Sequence, residues 1–417
     1  MSVPLRNLPL VQNWTCHGCS DCCRIEAVIS DEEKRRIEAL DLANDPEVAP
    51  QPWFALKDWG AKQWTLNHRP DGGCVFLTAS NRCRLQERFG ADAKPFVCRL
   101  FPFVLIPAGD HWRVGMRFSC PSAAANKGRP VAEAEKDLTQ LSRQLEQHLG
   151  RSAESASPPL LQAGQQLAWP EVCRVVQVLV EIVQDRRDRL ERRLRKCLAV
   201  ARICRQARLD GLRGGRLTEF LQTVRDGMET EVPRAAVEVP PPDGPLGRVL
   251  FRALLAIFAR RDRAGHRTAG LGNRLGRVRA AWRFVRGRGP VPRVNEFLPE
   301  TSFEEVERCS GFLPEMDETL ERYYVVKLNS LQFFGPPNFN LPLWAGLESL
   351  VLTLPMILWL QRALAGVAPM EAVQQAIQLV DDHFGGNPML GFAHVRFLLG
   401  VMAQRGELEK LVAWYSR

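Results

Sequence analysis

The stretch Trp14-Thr15-Cys16-His17-Gly18-Cys19-Ser20-Asp21-Cys22-Cys23 decides how the rest of the chain is read. Its pattern is C-x2-C-x2-C-C. Cysteines two residues apart suit a tight turn whose sulfurs converge on one point, because each short step lets backbone amides fold around a bound metal or cluster. Gly18 sits inside that turn, where a positive backbone angle costs it little. Cys22 and Cys23 are neighbours, and neighbouring side chains point apart in extended backbone. Cys23 is therefore expected to serve a second centre or to be spare.

Working outward, the chain supplies more thiols. Twelve cysteines occur in 417 residues, and eight of them, Cys16, Cys19, Cys22, Cys23, Cys74, Cys83, Cys98 and Cys120, lie in the first 120. Eight ligands suffice for two four-ligand centres, or for one centre with spares. Cys173, Cys197, Cys204 and Cys309 are scattered and read as small apolar core residues. The N-terminus has no basic segment followed by an apolar core, so no secretory signal is expected. The expected setting is cytoplasmic and reducing, where thiols serve metals rather than disulfides.

Between the cysteines, Ser30 with Glu33 reads as a capping box that opens a short helix. Trp53, Trp59 and Trp64 are expected to cover the cysteine region. Cys74 to Leu77 and Arg82 to Leu85 read as two short strands around Thr78-Ala79-Ser80-Asn81, a hairpin that brings Cys74 and Cys83 together. Pro95 and Pro102 exclude a continuous helix and place Cys98 in fixed, non-helical backbone. Val104 to Ile106 and Trp112 to Phe118 form a second hairpin through Pro107-Ala108-Gly109-Asp110, and it delivers Cys120. Arg99 follows a ligand candidate directly, as a cofactor-binding residue for a carboxylate or a thiolate centre, or as a structural salt bridge.

After about residue 128 the pattern turns helical. Apolar residues recur at helical spacing over 131–149, 172–183 and 190–204. Val232 to Pro245 is a proline-rich linker, and Arg248 to Arg293 follows with thirteen arginines against one acid, Asp262. That segment accounts for more than the whole net charge of +9. It is read as a solvated helix face with a loop, or as a docking site for an acidic partner; with only Trp282 and Phe284 to stack on bases, nucleic acid is not expected. Thr301 and Glu304 mark a further helix start, and a long helix runs through Leu320, Tyr323, Tyr324 and Leu328. Leu341 to Leu360 is apolar but holds Pro342, Glu348 and Pro355. It reads as a buried core helix rather than a transmembrane span.

The expected fold class is α+β: a small loop and hairpin cysteine-rich metal domain followed by a mainly α-helical body. The divisions are 1–128 for the cysteine-cluster domain, 129–231 for a helical region, 232–293 for the linker and arginine-rich segment, and 294–417 for a helical C-terminal region. The thiolates fit zinc, which merely staples loops, or an iron–sulfur cluster; the absence of a histidine pair at zinc-finger spacing favours iron–sulfur.

Three segments in order, Cys16 to Cys23, Cys74-Val75-Phe76-Leu77 with Cys83, and Lys94-Pro95-Phe96-Val97-Cys98-Arg99-Leu100-Phe101-Pro102-Phe103, resemble the CxxCxxCC zinc- or iron-chelating family, also called YkgJ-type cysteine-cluster proteins, which includes flagellin lysine N-methylases. A looser likeness extends to Glu321-Arg322-Tyr323-Tyr324 through Phe334. The resemblance implies a 4Fe–4S cluster or zinc on the cysteines. For the methylase members it also implies transfer of methyl from S-adenosylmethionine to lysines of a protein substrate, flagellin-like or other. The residues themselves give no methyltransferase fingerprint. Gly211-Leu212-Arg213-Gly214-Gly215 and Gly270-Leu271-Gly272-Asn273 follow no strand, and no C-x3-C-x2-C run is present. The alternative is a non-catalytic or electron-transfer metalloprotein, or an adaptor that uses its arginines.

Overall fold

A computed structural model describes residues 3–6, 8–58, 62–150, 152–261, 271–308, 312–364 and 366–417. The fold is α+β, with its small sheets mostly in the N-terminal region and a helical body after them.

The first core gathers around a three-stranded antiparallel sheet in the order Val28–Ile29, Lys62–Leu66, Phe54–Asp58. Ser30 caps the helix Asp31–Glu38 with the expected reciprocal bonds to Glu33. This places Ile37 inward beside Trp53, Phe76, Leu77 and Leu85. The Trp53 and Phe76 rings lie 5.6 Å apart in this core, tilted at 59° to each other. Trp64 is partly buried against it and Trp59 lies outside the described residues.

Two local expectations are corrected here. The strand pair around residues 78–81 reduces to a single bridge, Leu77 to Cys83, while Cys74 bridges back to His68, and Arg84–Phe89 is a helix. Its apolar residues Leu85 and Phe89 stand four apart, one helical turn, which outweighs the hairpin signal of the turn before it. Cys98 lies in a short helix, Phe96–Leu100, that starts directly after Pro95 and stops before Pro102. Proline bounds a helix at its N-terminal edge without breaking it.

The second hairpin forms as expected, Phe103–Pro107 paired antiparallel with Trp112–Met116, and Leu5–Arg6 adds a parallel edge to it. Its inward side chains, Leu105, Trp112, Val114 and Met116, join the core of the helical body rather than that of the cysteine sheet. The body surrounds the apolar stretch Leu343–Ala363, which runs as two consecutive helices with 89% of its most apolar window buried in the protein. Trp344, Trp359, Tyr323 and Tyr324 are fully enclosed there.

The helix Leu190–Gln206 also enters this core, although it is charged. Arg193 pairs with Glu321 at 2.5 Å and Arg195 with Glu191 at 2.8 Å. Burial of such side chains is tolerated only because each has a partner. The helix start near residue 301 is offset by one: Ser302 and Glu305 exchange the capping-box bonds, while Glu304 accepts from the Gly289 N–H at 3.1 Å.

Candidate metal centre

The Cys16 to Cys23 run is folded by two left-handed residues, Gly18 at φ 68° and Ser20 at φ 61°. Cys22 and Cys23 fall in a 3-10 turn, Asp21–Arg24, rather than in extended backbone. In such a turn neighbouring side chains still diverge, by about 120°.

The two ends of the run are tied to different partners. At the near end, Thr15 N–H donates to the Lys127 carbonyl at 3.0 Å, and His17 Nδ1 bonds Ser122 Oγ at 2.8 Å. These bonds set Cys16 and Cys19 against the segment that carries Cys120. At the far end, the Cys74 N–H donates to the Cys23 carbonyl at 2.8 Å, and Ser20 Oγ donates to Asn81 Oδ1 at 3.2 Å. Cys23 therefore faces the loop of Cys74 and Cys83. Histidine 17 acts as a strut in this arrangement.

The thiols accordingly line two spaces. An open cleft of about 470 Å³ is bordered by Cys16, Cys19, Cys22, Cys98 and Cys120, together with Lys94 and Arg99. A smaller inner cavity of about 60 Å³ is bordered by Cys22, Cys23, Cys74, Cys83 and Cys98 against Phe76 and Leu85. Cys22 and Cys98 belong to both. Among the described residues, no three His, Cys, Asp or Glu side chains stand close enough to grip a metal ion as they are placed. The thiols are grouped, and closing on an ion requires them to turn inward.

The donor set suits zinc or iron chemically. Burial pushes the Cys74 and Cys98 thiols up to about 12, and also raises Cys19 and Cys120. Cys22 is raised first by the neighbouring Cys23 thiol and then by burial. Without a metal such thiols keep their protons at neutral pH; a bound cation displaces them and takes thiolate sulfur. The buried Trp14 indole N–H sits beside the Cys120 sulfur, where it favours the thiolate.

The helical body holds the Cys120 turn through residues that sequence reading passed over. Asp381 Oδ2 accepts from the backbone N–H groups of Phe118 at 2.5 Å and Ser119 at 3.1 Å. Lys327 lies 2.5 Å from Asp381 Oδ1 and donates to the Met116 carbonyl at 3.1 Å. Arg322 donates to the Ala123 and Ala124 carbonyls, both at 3.0 Å. Burial lowers Lys327 to about 8, against the opposing pull of Asp381. The sequence signal for Arg322 and Lys327 is a pair of cations that bracket the apolar run Tyr323-Tyr324-Val325-Val326 in the helix Asp317–Asn329.

Arg99 forms the salt bridge of its structural reading and also borders the cleft. It pairs with the exposed Asp92 at 3.0 Å, and its Nε has no partner while the side chain walls the cleft. Arg261 reaches back to Asp21 at 3.3 Å, so one arginine of the basic segment braces the cysteine run. Cys197 and Cys204 are buried in the body, where burial pushes both up to about 12. Cys173 is half-buried beside the Arg113 guanidinium rather than in the core proper, and Cys309 lies outside the described residues.

No curated protein and no solved structure matches the chain. Over residues 15–126, a span that takes in all eight N-terminal cysteines and leaves the helical body outside, the chain matches the family model CxxCxxCC, "Putative zinc- or iron-chelating domain".

Proposed function

We propose that the eight cysteines hold an iron–sulfur centre and that the open cleft beside it admits S-adenosylmethionine for methylation of lysines on a partner protein. The observation that carries this reading is the cleft itself. A purely structural metal needs a closed shell of ligands, whereas Cys16, Cys19, Cys22, Cys98 and Cys120 border a space of about 470 Å³ open to solvent. Lys94 and Arg99 stand in its wall, and both can take a carboxylate. The cofactor, when bound, supplies the methyl group. The residues of this chain would orient it, Arg99 through its free Nε and the thiolates by holding the metal that faces the cleft. The resemblance to flagellin lysine N-methylases supplies the reaction class.

A second reading is favoured by the inner cavity. Cys23, Cys74, Cys83 and Cys98 border a space of about 60 Å³ backed by Phe76 and Leu85, the enclosure expected of a zinc or iron site that serves folding or electron transfer.

Protein purified without oxygen is to be analysed for iron, zinc and acid-labile sulfide, with a visible spectrum. Binding of S-adenosylmethionine is then measured calorimetrically on the loaded protein, the metal-free protein and Arg99→Ala. Iron with sulfide, and cofactor binding that is lost with the metal and weakened by Arg99→Ala, is the expected result. Zinc without sulfide, or equal binding by the metal-free protein, overturns the first reading in favour of the second.

A further inference from the structure

Four thiolates saturate a zinc ion, and four saturate a 4Fe–4S cluster. One centre would therefore leave half of the eight N-terminal thiols without a metal. The two most deeply buried of these thiols lie in different cores: Cys74, 7% exposed, in that of the cysteine sheet, and Cys120, 7% exposed, in that of the helical body. Each has hydrogen-bond donors of its own. The Phe76 N–H is directed at the Cys74 sulfur, whereas the Ala123 and Ser122 N–H groups and the Trp14 indole are directed at that of Cys120. Such bonds offset the charge of a ligating sulfur and tune its metal, and here they are built twice.

The remaining thiols sort around these two. Cys23, Cys83 and Cys98 pack against the same core as Cys74. Burial apart, the thiols that oppose a charge on Cys74 are Cys98 and Cys83. Cys16 and Cys19 are exposed on the open cleft, which Cys120 also borders. Burial apart again, the thiols that oppose a charge on Cys19 are Cys120 and Cys22. Cys22 and Cys98 border both spaces, and the two groups meet there. Their packing separates them: Cys98 lies on the core of the cysteine sheet, whereas Cys22 is the thiol that opposes a charge on Cys120.

We infer that the chain holds two separate four-thiolate centres, an enclosed one on Cys23, Cys74, Cys83 and Cys98 and an open one on Cys16, Cys19, Cys22 and Cys120. On the reading of the thiols as ligands of zinc or iron, on which this division rests, each space has a metal of its own. The adjacent Cys22 and Cys23 then serve different centres, as their divergence in the 3-10 turn requires. The enclosed centre, backed by Phe76 and Leu85, holds the cysteine unit together. The open centre faces whatever enters the cleft, with Lys94 and Arg99 beside it.

The test is the zinc, iron and acid-labile sulfide content per chain of full-length protein purified without oxygen, compared with cysteine-to-serine variants. Cys16→Ser with Cys19→Ser changes two exposed positions. It is expected to lose about half of the metal where the two centres are alike, or one kind of metal and not the other where they differ. Cys74→Ser with Cys83→Ser is expected to lose the complementary share. Single replacements assign the two bordering thiols: Cys98→Ser is expected to act on the same share as the Cys74 pair, and Cys22→Ser on the same share as the Cys16 pair. Circular dichroism monitors the fold of the buried variants, and the exposed pair alone decides the number of centres. Complete loss of metal in Cys16→Ser with Cys19→Ser, or a content unchanged by it, overturns the division in favour of one centre. Loss of the open share in Cys98→Ser overturns it as well. Unsubstituted protein free of zinc and iron overturns the reading of the thiols as metal ligands, and the division with it.

Discussion

The core of the cysteine unit is assembled from Ile29, Ile37, Trp53, Phe76, Leu77 and Leu85, with Cys74 inside it and Cys23, Cys83 and Cys98 packed at its margin. The core of the helical body has Trp344, Leu347, Leu354, Ile357 and Trp359 at its centre, all at or below 1% exposure. Each large apolar side chain so buried contributes about 1.5–3 kcal/mol, against about 1–2 kcal/mol of entropy for every residue ordered. The body fills long helices with such residues. In the cysteine unit, thiols occupy places where a self-sufficient core would carry leucine, between strands and helices of eight residues or fewer. The difference teaches that the two regions draw stability from different sources, one from apolar burial and one from whatever the thiols bind.

Removing the metal should expose that difference most sharply. Structural zinc contributes on the order of 10 kcal/mol to folding in small thiolate domains. A chelator is therefore expected to abolish amide-exchange protection over residues 27–98 while the helices of the body stay protected. The hairpin 103–116 should remain with the body, since its side chains lie in that core. Hydrogen exchange read by mass spectrometry decides the matter. Joint unfolding of both regions, or protection unchanged in both, would break the comparison.

The next effect lies where the two regions meet. Lys327→Met leaves Asp381 buried without its cation, a change expected to destabilise the body by about 3–5 kcal/mol. Asp381 also holds the Phe118 and Ser119 amides. These two amides should therefore lose protection beyond that of the surrounding helices, and denaturation with site-resolved exchange measures both parts. A loss confined to the body, with the Cys120 turn as protected as before, would show that Lys327 serves packing alone.

How much of this was legible in the sequence follows from the range of each interaction. Ser30 with Glu33, the hairpin that delivers Cys120, and the burial of the apolar run from Leu341 to Leu360 are local patterns of period or spacing; the first two form as read, and the run is buried as read but as two consecutive helices rather than one. The helices Arg84–Phe89 and Phe96–Leu100 escaped because they are shorter than the window over which periodicity can be recognised. The grouping of the thiols was out of reach for another reason. It depends on bonds between distant segments, Cys23 to Cys74 and His17 to Ser122, neither of which has any local signature. Lys327 and Asp381 are hidden in the same way, each an ordinary charge on its own helix until the two are brought together.

Glu33 joins a legible feature to an illegible one, and it supplies the smallest and most local test. One carboxylate oxygen accepts from the Ser30 N–H at 2.8 Å, completing the capping box, and the other accepts from the Phe96 N–H at 2.6 Å. Phe96 opens the helix that carries Cys98, so this side chain couples the cap of one helix to the placement of a thiol on another. Replacing Glu33 by alanine removes both bonds and leaves the buried Phe96 N–H without its acceptor. The expected loss is about 1–2 kcal/mol, confined to the cysteine unit and visible as faster exchange over 31–38 and 96–100. Glu33→Gln, which can still accept from Phe96, should recover part of that loss. If alanine instead weakens the helical body by as much as it weakens the cysteine unit, the two regions share one cooperative transition, and the division of stability between thiols and apolar core does not hold.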